Sequence, residues 1–260
     1  MTPSAEKHSE RTALVTGATA GIGAEFARQL AEQGHDVVLV ARDAARLQAT
    51  ADELQRRYSV RAEVLAADLA DDAGVAAVVA RLSDPARPVG MLVNNAGIGL
   101  LHSFAENDIA DEKRHLKLHV ESAMELTHAA LQGMLLRRSG RIINVASVAA
   151  FLPRETYSAA KAWIVSFSRW ANLAYAKRGV SVTAVCPGFT HTEFHDRMGM
   201  DKAVAPGWMW LQAEQVVREG LADNARGRAV SIPSRRYKIL TAVTRVLPSR
   251  LVAGPPRRAK

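Results

Sequence analysis

Tyr157 and Lys161 stand four positions apart in Tyr157-Ser158-Ala159-Ala160-Lys161, and Tyr157 follows Ser147 by ten positions. Near the start of the chain lies a glycine-rich stretch, Thr16-Gly17-Ala18-Thr19-Ala20-Gly21-Ile22-Gly23. On a helix, side chains four apart lie one above the other. The ammonium is then placed to lower the phenol pKa from its ordinary value of about 10. A phenol so tuned passes a proton to a carbonyl oxygen while a nicotinamide passes hydride to the carbon. Alone, the pair reads equally as a surface tyrosine beside a solvated lysine. Ser147 and the glycine turn, arriving in order, give it meaning.

These groups need a scaffold. Short apolar runs at 12–16, 36–41, 62–67, 89–93, 141–146, 180–185 and 228–232 predict strands. Helical patterns fill 21–33, 43–58, the stretch after Asp71, 111–138 and 157–177, with Gly34 closing the first and Asp43 and Asp71 placed as N-caps. Buried strands alternating with helices predict a doubly wound, Rossmann-type α/β fold, a parallel sheet of about seven strands covered on both faces. One catalytic domain is expected over 12–233, with a loosely attached 1–11, a lid over 189–210 and a basic tail over 234–260.

Gly17, Gly21 and Gly23 follow a strand and open a helix, spaced Gly-x-x-x-Gly-x-Gly. Glycines there let backbone approach a pyrophosphate, which rests on the helix N-terminus. A glycine turn without a ligand is the alternative for the loop by itself. The end of the second strand decides the ribose: a carboxylate would bind the 2′-hydroxyl, whereas this chain has Ala41 and then Arg42. A guanidinium suits a phosphate dianion, so NADP(H) is expected over NAD(H). The competing reading makes Arg42 a surface arginine.

The 260 residues carry 34 Lys/Arg against 26 Asp/Glu, a net charge of +8. Ten of the basic residues and none of the acidic ones fall in 224–260, so 1–223 is nearly neutral. That distribution argues against a nucleic-acid-binding body. The single cysteine, Cys186, excludes an internal disulfide and reads as a core residue. A polar N-terminus and the lack of a long apolar run predict a cytoplasmic location.

Together these segments resemble the short-chain dehydrogenase/reductase family. The matching pieces are the 16–23 turn, Asp68, Asn94-Asn95-Ala96-Gly97, Ser147, Tyr157 with Lys161, and Pro187-Gly188-Phe189-Thr190-His191-Thr192, in family order over about 12–232. The resemblance implies Tyr157 as proton donor and acceptor, Lys161 on the nicotinamide ribose, and Ser147 on the reacting oxygen. It implies Gly17, Thr19, Ala20, Gly21, Ile22 and Gly23 around the cofactor phosphates. Asp68 would contact the adenine with Leu69 alongside, and Asn94, Asn95, Ala96 and Gly97 would line the cleft and brace the sheet. Pro187, Gly188, Thr190 and Thr192 would meet the nicotinamide end. A homodimer or homotetramer acting on a small carbonyl or alcohol is also implied.

Two departures stand out. The spacing from Ser147 to Tyr157 is shorter than the family's, which predicts a tight connection at 151–154. His119 takes the place of an asparagine that completes the family's catalytic set. An imidazole there can relay protons. Packing and hydrogen bonding within the helix is the plainer reading, and the one the sequence favours.

Other signals carry less. His191 and His195 are four apart but belong to a loop by resemblance, so no metal site is expected. Phe189, Phe194, Met198, Met200, Trp208, Met209 and Trp210 suggest either an apolar substrate under the lid or an ordinary core. Trp163 and Trp170 share a helix face suited to core or subunit contact. In the tail, Tyr237, Leu240, Val243 and Leu247 form one side of a basic amphipathic helix, which can lie on an anionic membrane, pack on the body or bind an acidic carrier. The expected activity is NADP(H)-dependent interconversion of a secondary alcohol and a ketone. The alternative is a catalytically weak NADP(H)-binding sensor or scaffold.

Overall fold

The computed structural model describes residues 11–100, 102–194, 205–244 and 247. Among them, seven strands form one sheet in the order β3-β2-β1-β4-β5-β6-β7, every neighbouring pair parallel. The strands are β1 (Thr12–Thr16), β2 (Asp36–Ala41), β3 (Ala62–Ala66), β4 (Met91–Asn94), β5 (Gly140–Val145), β6 (Val180–Val185) and β7 (Val230–Ser231). Between them run α1 (Gly21–Glu32), α2 (Ala44–Tyr58), α3 (Asp72–Leu82), α4 (Ile109–Leu116), α5 (Ser122–Arg137), α6 (Glu155–Tyr175) and α7 (Ala213–Ala225), and α8 (Arg235–Thr244) follows the last strand.

Strand alternation builds two apolar layers. On β1, Ala13 and Val15 face one layer, with Phe26 and Leu30 of α1, Leu47 of α2 and Val217 of α7. Leu14 faces the other, with Val78 of α3 and Leu126 and Met134 of α5. A period of two sends neighbouring residues to opposite faces, and both faces are buried, as a parallel sheet requires. The chain reverses its winding between β1 and β4, and the crevice at their carboxyl ends is where such sheets bind ligands.

Local chemistry fixes the element ends. Asp43 accepts from the Arg46 amide at 3.0 Å, capping α2 as expected. Asp71 holds the N-cap position of α3, but its side chain makes no cap bond. The single helix expected over 111–138 is broken by a π-turn, Lys117–Glu121, between α4 and α5. Such turns insert an extra residue per coil and rotate the side chains beyond them. The 151–154 connection is tight: a 3-10 turn, Val148–Phe151, runs almost directly into α6, and Glu155 adopts φ 50°.

The described part of the tail is not a separate appendage. Tyr237 and Thr241 of α8 are buried, whereas Ile239, Leu240, Val243 and Leu247 are exposed. The expected apolar side therefore divides, with Tyr237 turned to the body and the aliphatics to solvent. No helix among the described residues is long and apolar enough to cross a membrane. Residues 1–10 and most of 245–260 lie outside the described residues.

Candidate active site

A cleft of about 830 Å³ opens at the carboxyl ends of the strands, with Gly17, Thr19, Ala20, Gly21 and Ile22 along one wall. Gly17 and Gly21 adopt φ of 66° and 55°, a conformation that glycine accepts without strain. Ala20 caps α1 with no side-chain bond, and the first turn of α1 holds no acidic residue. The helix start therefore keeps amides and positive dipole for an anion. Gly23 does not line the cleft. A β-carbon there would stand 2.2 Å from the Gly17 carbonyl oxygen, so its role is to let the turn pack on the helix.

Arg42, Asp43, Arg46, Asp68 and Leu69 form one end of the cleft. Arg46, on the first turn of α2 and four residues past Arg42, joins it at this end, and that spacing is its signal in the sequence. Its guanidinium donates to both carboxylate oxygens of Glu193, at 2.9 and 3.4 Å. Asp68 accepts from the Ala70 amide at 3.0 Å and from Arg114 at 2.7 Å. Burial opposes ionisation of Asp68, but those two bonds outweigh it and hold the carboxyl below its usual range.

Asn95, Ala96 and Gly97 line the middle of the cleft, but Asn94 does not. Its amide donates to Asn144 at 2.9 Å and Thr127 at 3.0 Å, tying β4 to β5 and α5 inside the core. Of the expectations for this segment, Asn94 meets only the bracing one. Asn95 donates to the Thr16 carbonyl at 2.9 Å and so fixes the glycine turn against β4.

Ser147, Tyr157 and Lys161 meet at the other end, beside Pro187, Gly188, Thr190 and Thr192. Ser147 sits just beyond β5 and accepts from the Ala149 amide at 3.1 Å, while Val148 donates to the Pro187 carbonyl at 2.9 Å. The ends of β5 and β6 thus set the serine. Its side chain hydrogen-bonds that of Tyr157. The tyrosine and lysine do share a face of α6, but the expected lowering of the phenol pKa does not occur. Burial pushes Tyr157 up to about 12, opposed by the bond from Ser147. Lys161 lies 5.7 Å from the Tyr157 ring centre and donates to the Val145 carbonyl at 2.8 Å. Burial brings its own pKa down to about 8. Desolvation disfavours the charged form of each group and dominates both shifts.

His119 also lines the cleft, on the π-turn. Its Nε2 lies 2.7 Å from the Ile98 carbonyl oxygen and accepts from the Ile98 amide at 3.2 Å. Its Cε1 occupies space 2.5 Å from where a Gly97 β-carbon would stand, so Gly97 admits the ring. Burial, then the charges of Lys161 and His115, hold its pKa well below the ordinary 6.5. His115, which the sequence reading passed over, is equally buried, with its ring 4.4 Å from that of His119 and 6.0 Å from that of Tyr157. The i,i+4 spacing of two histidines was its available signal.

Phe194 closes over the chemistry, its ring 6.1 Å from that of Tyr157. Phe189 and His191 pack on buried Trp210 and Trp208 is exposed, so the aromatic residues of 189–210 divide between core, cleft and surface. Met198, Met200 and His195 lie outside the described residues. Among the described residues no three His, Cys, Asp or Glu side chains gather to hold a metal. Cys186 is fully buried, as a core residue should be.

A dinucleotide-sized cleft at the switch point of a doubly wound sheet, with serine, tyrosine and lysine at one end, defines the oxidoreductase class of Rossmann-type proteins. The family model for short chain dehydrogenases matches residues 11–203. The oxidoreductase UcpA of Escherichia coli K12 is 31% identical over 253 residues, covering 96% of this chain and 84% of that protein. A short-chain dehydrogenase from Sphingobium yanoikuyae, solved with NADPH, superposes with a TM-score of 0.81 at 34% identity, covering 90% and 93% of the two chains. A bulky-bulky ketone specific alcohol dehydrogenase from Comamonas testosteroni gives 0.78 at 30% identity over 90% and 92%. The chain belongs to the short-chain dehydrogenase/reductase family, whose members are oxidoreductases acting on CH–OH groups.

Proposed function

We propose that the protein is an NADP(H)-dependent oxidoreductase interconverting a secondary alcohol and an apolar ketone. One observation carries this reading: a single cleft joins Arg42 and Arg46 at one end to Ser147, Tyr157 and Lys161 at the other. Two guanidinium groups suit a 2′-phosphate, and the glycine turn with the uncapped start of α1 suits the pyrophosphate. The NADPH in the Sphingobium relative and the ketone specificity of the Comamonas one support the same choice. Phe194 beside Tyr157 gives the reacting end an apolar wall.

A reduced nicotinamide held between the glycine turn and Pro187, Gly188, Thr190 and Thr192 would supply the hydride chemistry. Tyr157, kept protonated by burial, gives its proton to the carbonyl oxygen, and the Ser147 hydroxyl orients that oxygen. Lys161, held by the Val145 carbonyl, places an ammonium near the phenolate that forms. Oxidation runs the same steps backwards. Loss of NADPH absorbance across a panel of apolar ketones tests the reading. NADPH binding without turnover of any ketone would instead favour the sensor.

Self-association belongs to the same proposal. Trp163 stacks on Phe167 along α6, Trp170 meets Phe167 at a tilt, and Trp170 and Leu173 are exposed. Sedimentation of Trp170→Glu beside the parent chain tests it, with a lower mass expected for the variant.

A further inference from the structure

Arg46 is held from two sides. Its Nη2 donates to one Glu193 oxygen at 2.9 Å and to the Thr19 carbonyl at 3.3 Å, and its Nη1 donates to the other Glu193 oxygen at 3.4 Å. The pair joins the first turn of α2 to the segment that follows β6, and Thr19, Arg46 and Glu193 all line the cleft. We propose that Glu193 tunes cofactor preference: its carboxylate competes with the 2′-phosphate of NADP(H) for the Arg46 guanidinium. The proposal rests on the NADP(H) reading above.

The other acids at this end of the cleft are engaged elsewhere. Asp43 accepts from the Arg46 backbone amide, and Asp68 accepts from Arg114 and the Ala70 amide. Glu193 is the acid that meets the Arg46 guanidinium itself. The two side chains are 44% and 47% exposed, and an ion pair so wet is weak and readily exchanged. A phosphate monoester offers three acceptor oxygens and nearly twice the charge of a carboxylate. It can take the guanidinium, but only by breaking the Glu193 bonds and leaving a carboxylate nearby. An NADH ribose carries no such group and makes no claim on Arg46. Glu193 therefore weakens NADPH binding and leaves NADH binding nearly untouched. It acts through Arg46 and is a positioning residue.

The segment carrying Glu193 has other anchors. His191 donates to the Leu211 carbonyl at 3.0 Å, and Leu211 donates to the Phe189 carbonyl at 2.8 Å. Thr192 packs on the glycine turn, with its Cβ 3.0 Å from where a Gly21 β-carbon would stand. Loss of the ion pair should leave this segment in place.

The test is fluorescence titration of NADPH and NADH against the full chain, Glu193→Gln, Arg46→Ala and the double variant. Glu193→Gln should lower the NADPH Kd about three- to fivefold, the scale of one exposed ion pair, with the NADH Kd within about 1.5-fold. In the Arg46→Ala background the same substitution should move the NADPH Kd by less than about twofold. The proposal falls if Glu193→Gln leaves NADPH affinity unchanged or weakens it. It falls as well if both cofactors shift alike, as loss of a structural brace would make them, or if the gain persists in full without Arg46. A parent that binds the two cofactors equally would sink the NADP(H) reading alone, and the response of the NADPH Kd to Glu193→Gln would still decide this one.

Discussion

The Tyr237 hydroxyl of α8 donates to the Met209 carbonyl at 2.8 Å while accepting from the Phe189 amide at 3.1 Å. The ring also lies against Gly188, where a β-carbon would overlap it. One tyrosine from the tail thus ties Phe189 to Met209. Tyr237→Phe keeps the ring but strands a partly buried amide and carbonyl. We expect a loss of about 1–2 kcal/mol, read as a Tm fall of roughly 3–6 °C. An unchanged melt would mean that α8 does not brace Phe189 and Met209.

Gly97 has no room for a side chain beside His119. Gly97→Ala must displace the imidazole or the strand end, at a cost of about 1–3 kcal/mol. Thermal melts should show that loss, with weaker NADPH binding because Gly97 lines the cleft. Gly97→Ala in a His119→Ala background should recover much of the stability. Equal losses in both backgrounds would contradict the contact.

Cofactor choice should follow the two arginines. Arg42→Asp should weaken NADPH binding by about tenfold or more while sparing or improving NADH, since a carboxylate repels a 2′-phosphate. Arg46→Ala should weaken NADPH alone. Fluorescence titration of both cofactors measures this, and unchanged NADPH affinity in both variants would remove the 2′-phosphate argument.

The pH dependence follows from Lys161. Its folded pKa of about 8 lies below the 10.5 of a free lysine. The unfolded chain then binds more protons between those values, so this group makes stability rise with pH from about 8 to 10.5. The burial penalty of the ammonium is present below about 8 and is relieved above it. Lys161→Met should flatten that slope in denaturant titrations. In reduction, kcat/KM should be level below about pH 7.5 and fall above about 8 as the ammonium is lost. A rate that climbs through pH 8–9 would contradict this.

The sequence made the sheet legible because β1, β2 and β4 are apolar runs whose alternate residues serve two buried layers. It placed Ser147, Tyr157 and Lys161 in one cleft because strand ends and one helix face carry them. It missed Arg46 and His115, each one helical turn from a residue already singled out, because which face of α2 or α4 meets the cleft is a tertiary matter. Asn94 and Gly23 sit within cleft-lining segments but point into packing, which neighbours in sequence do not reveal. The phenol shift had the opposite direction because i,i+4 proximity says nothing of desolvation. The π-turn at 117–121 left no mark in apolar periodicity.

The most direct measurement is NADPH-dependent ketone reduction by the parent chain and by Tyr157→Phe, with NADPH affinity determined for both. The account predicts turnover by the parent, a loss of about 10³-fold in kcat for the variant, and NADPH Kd unchanged within about twofold. A variant that reduces ketone at a rate close to the parent's would contradict it.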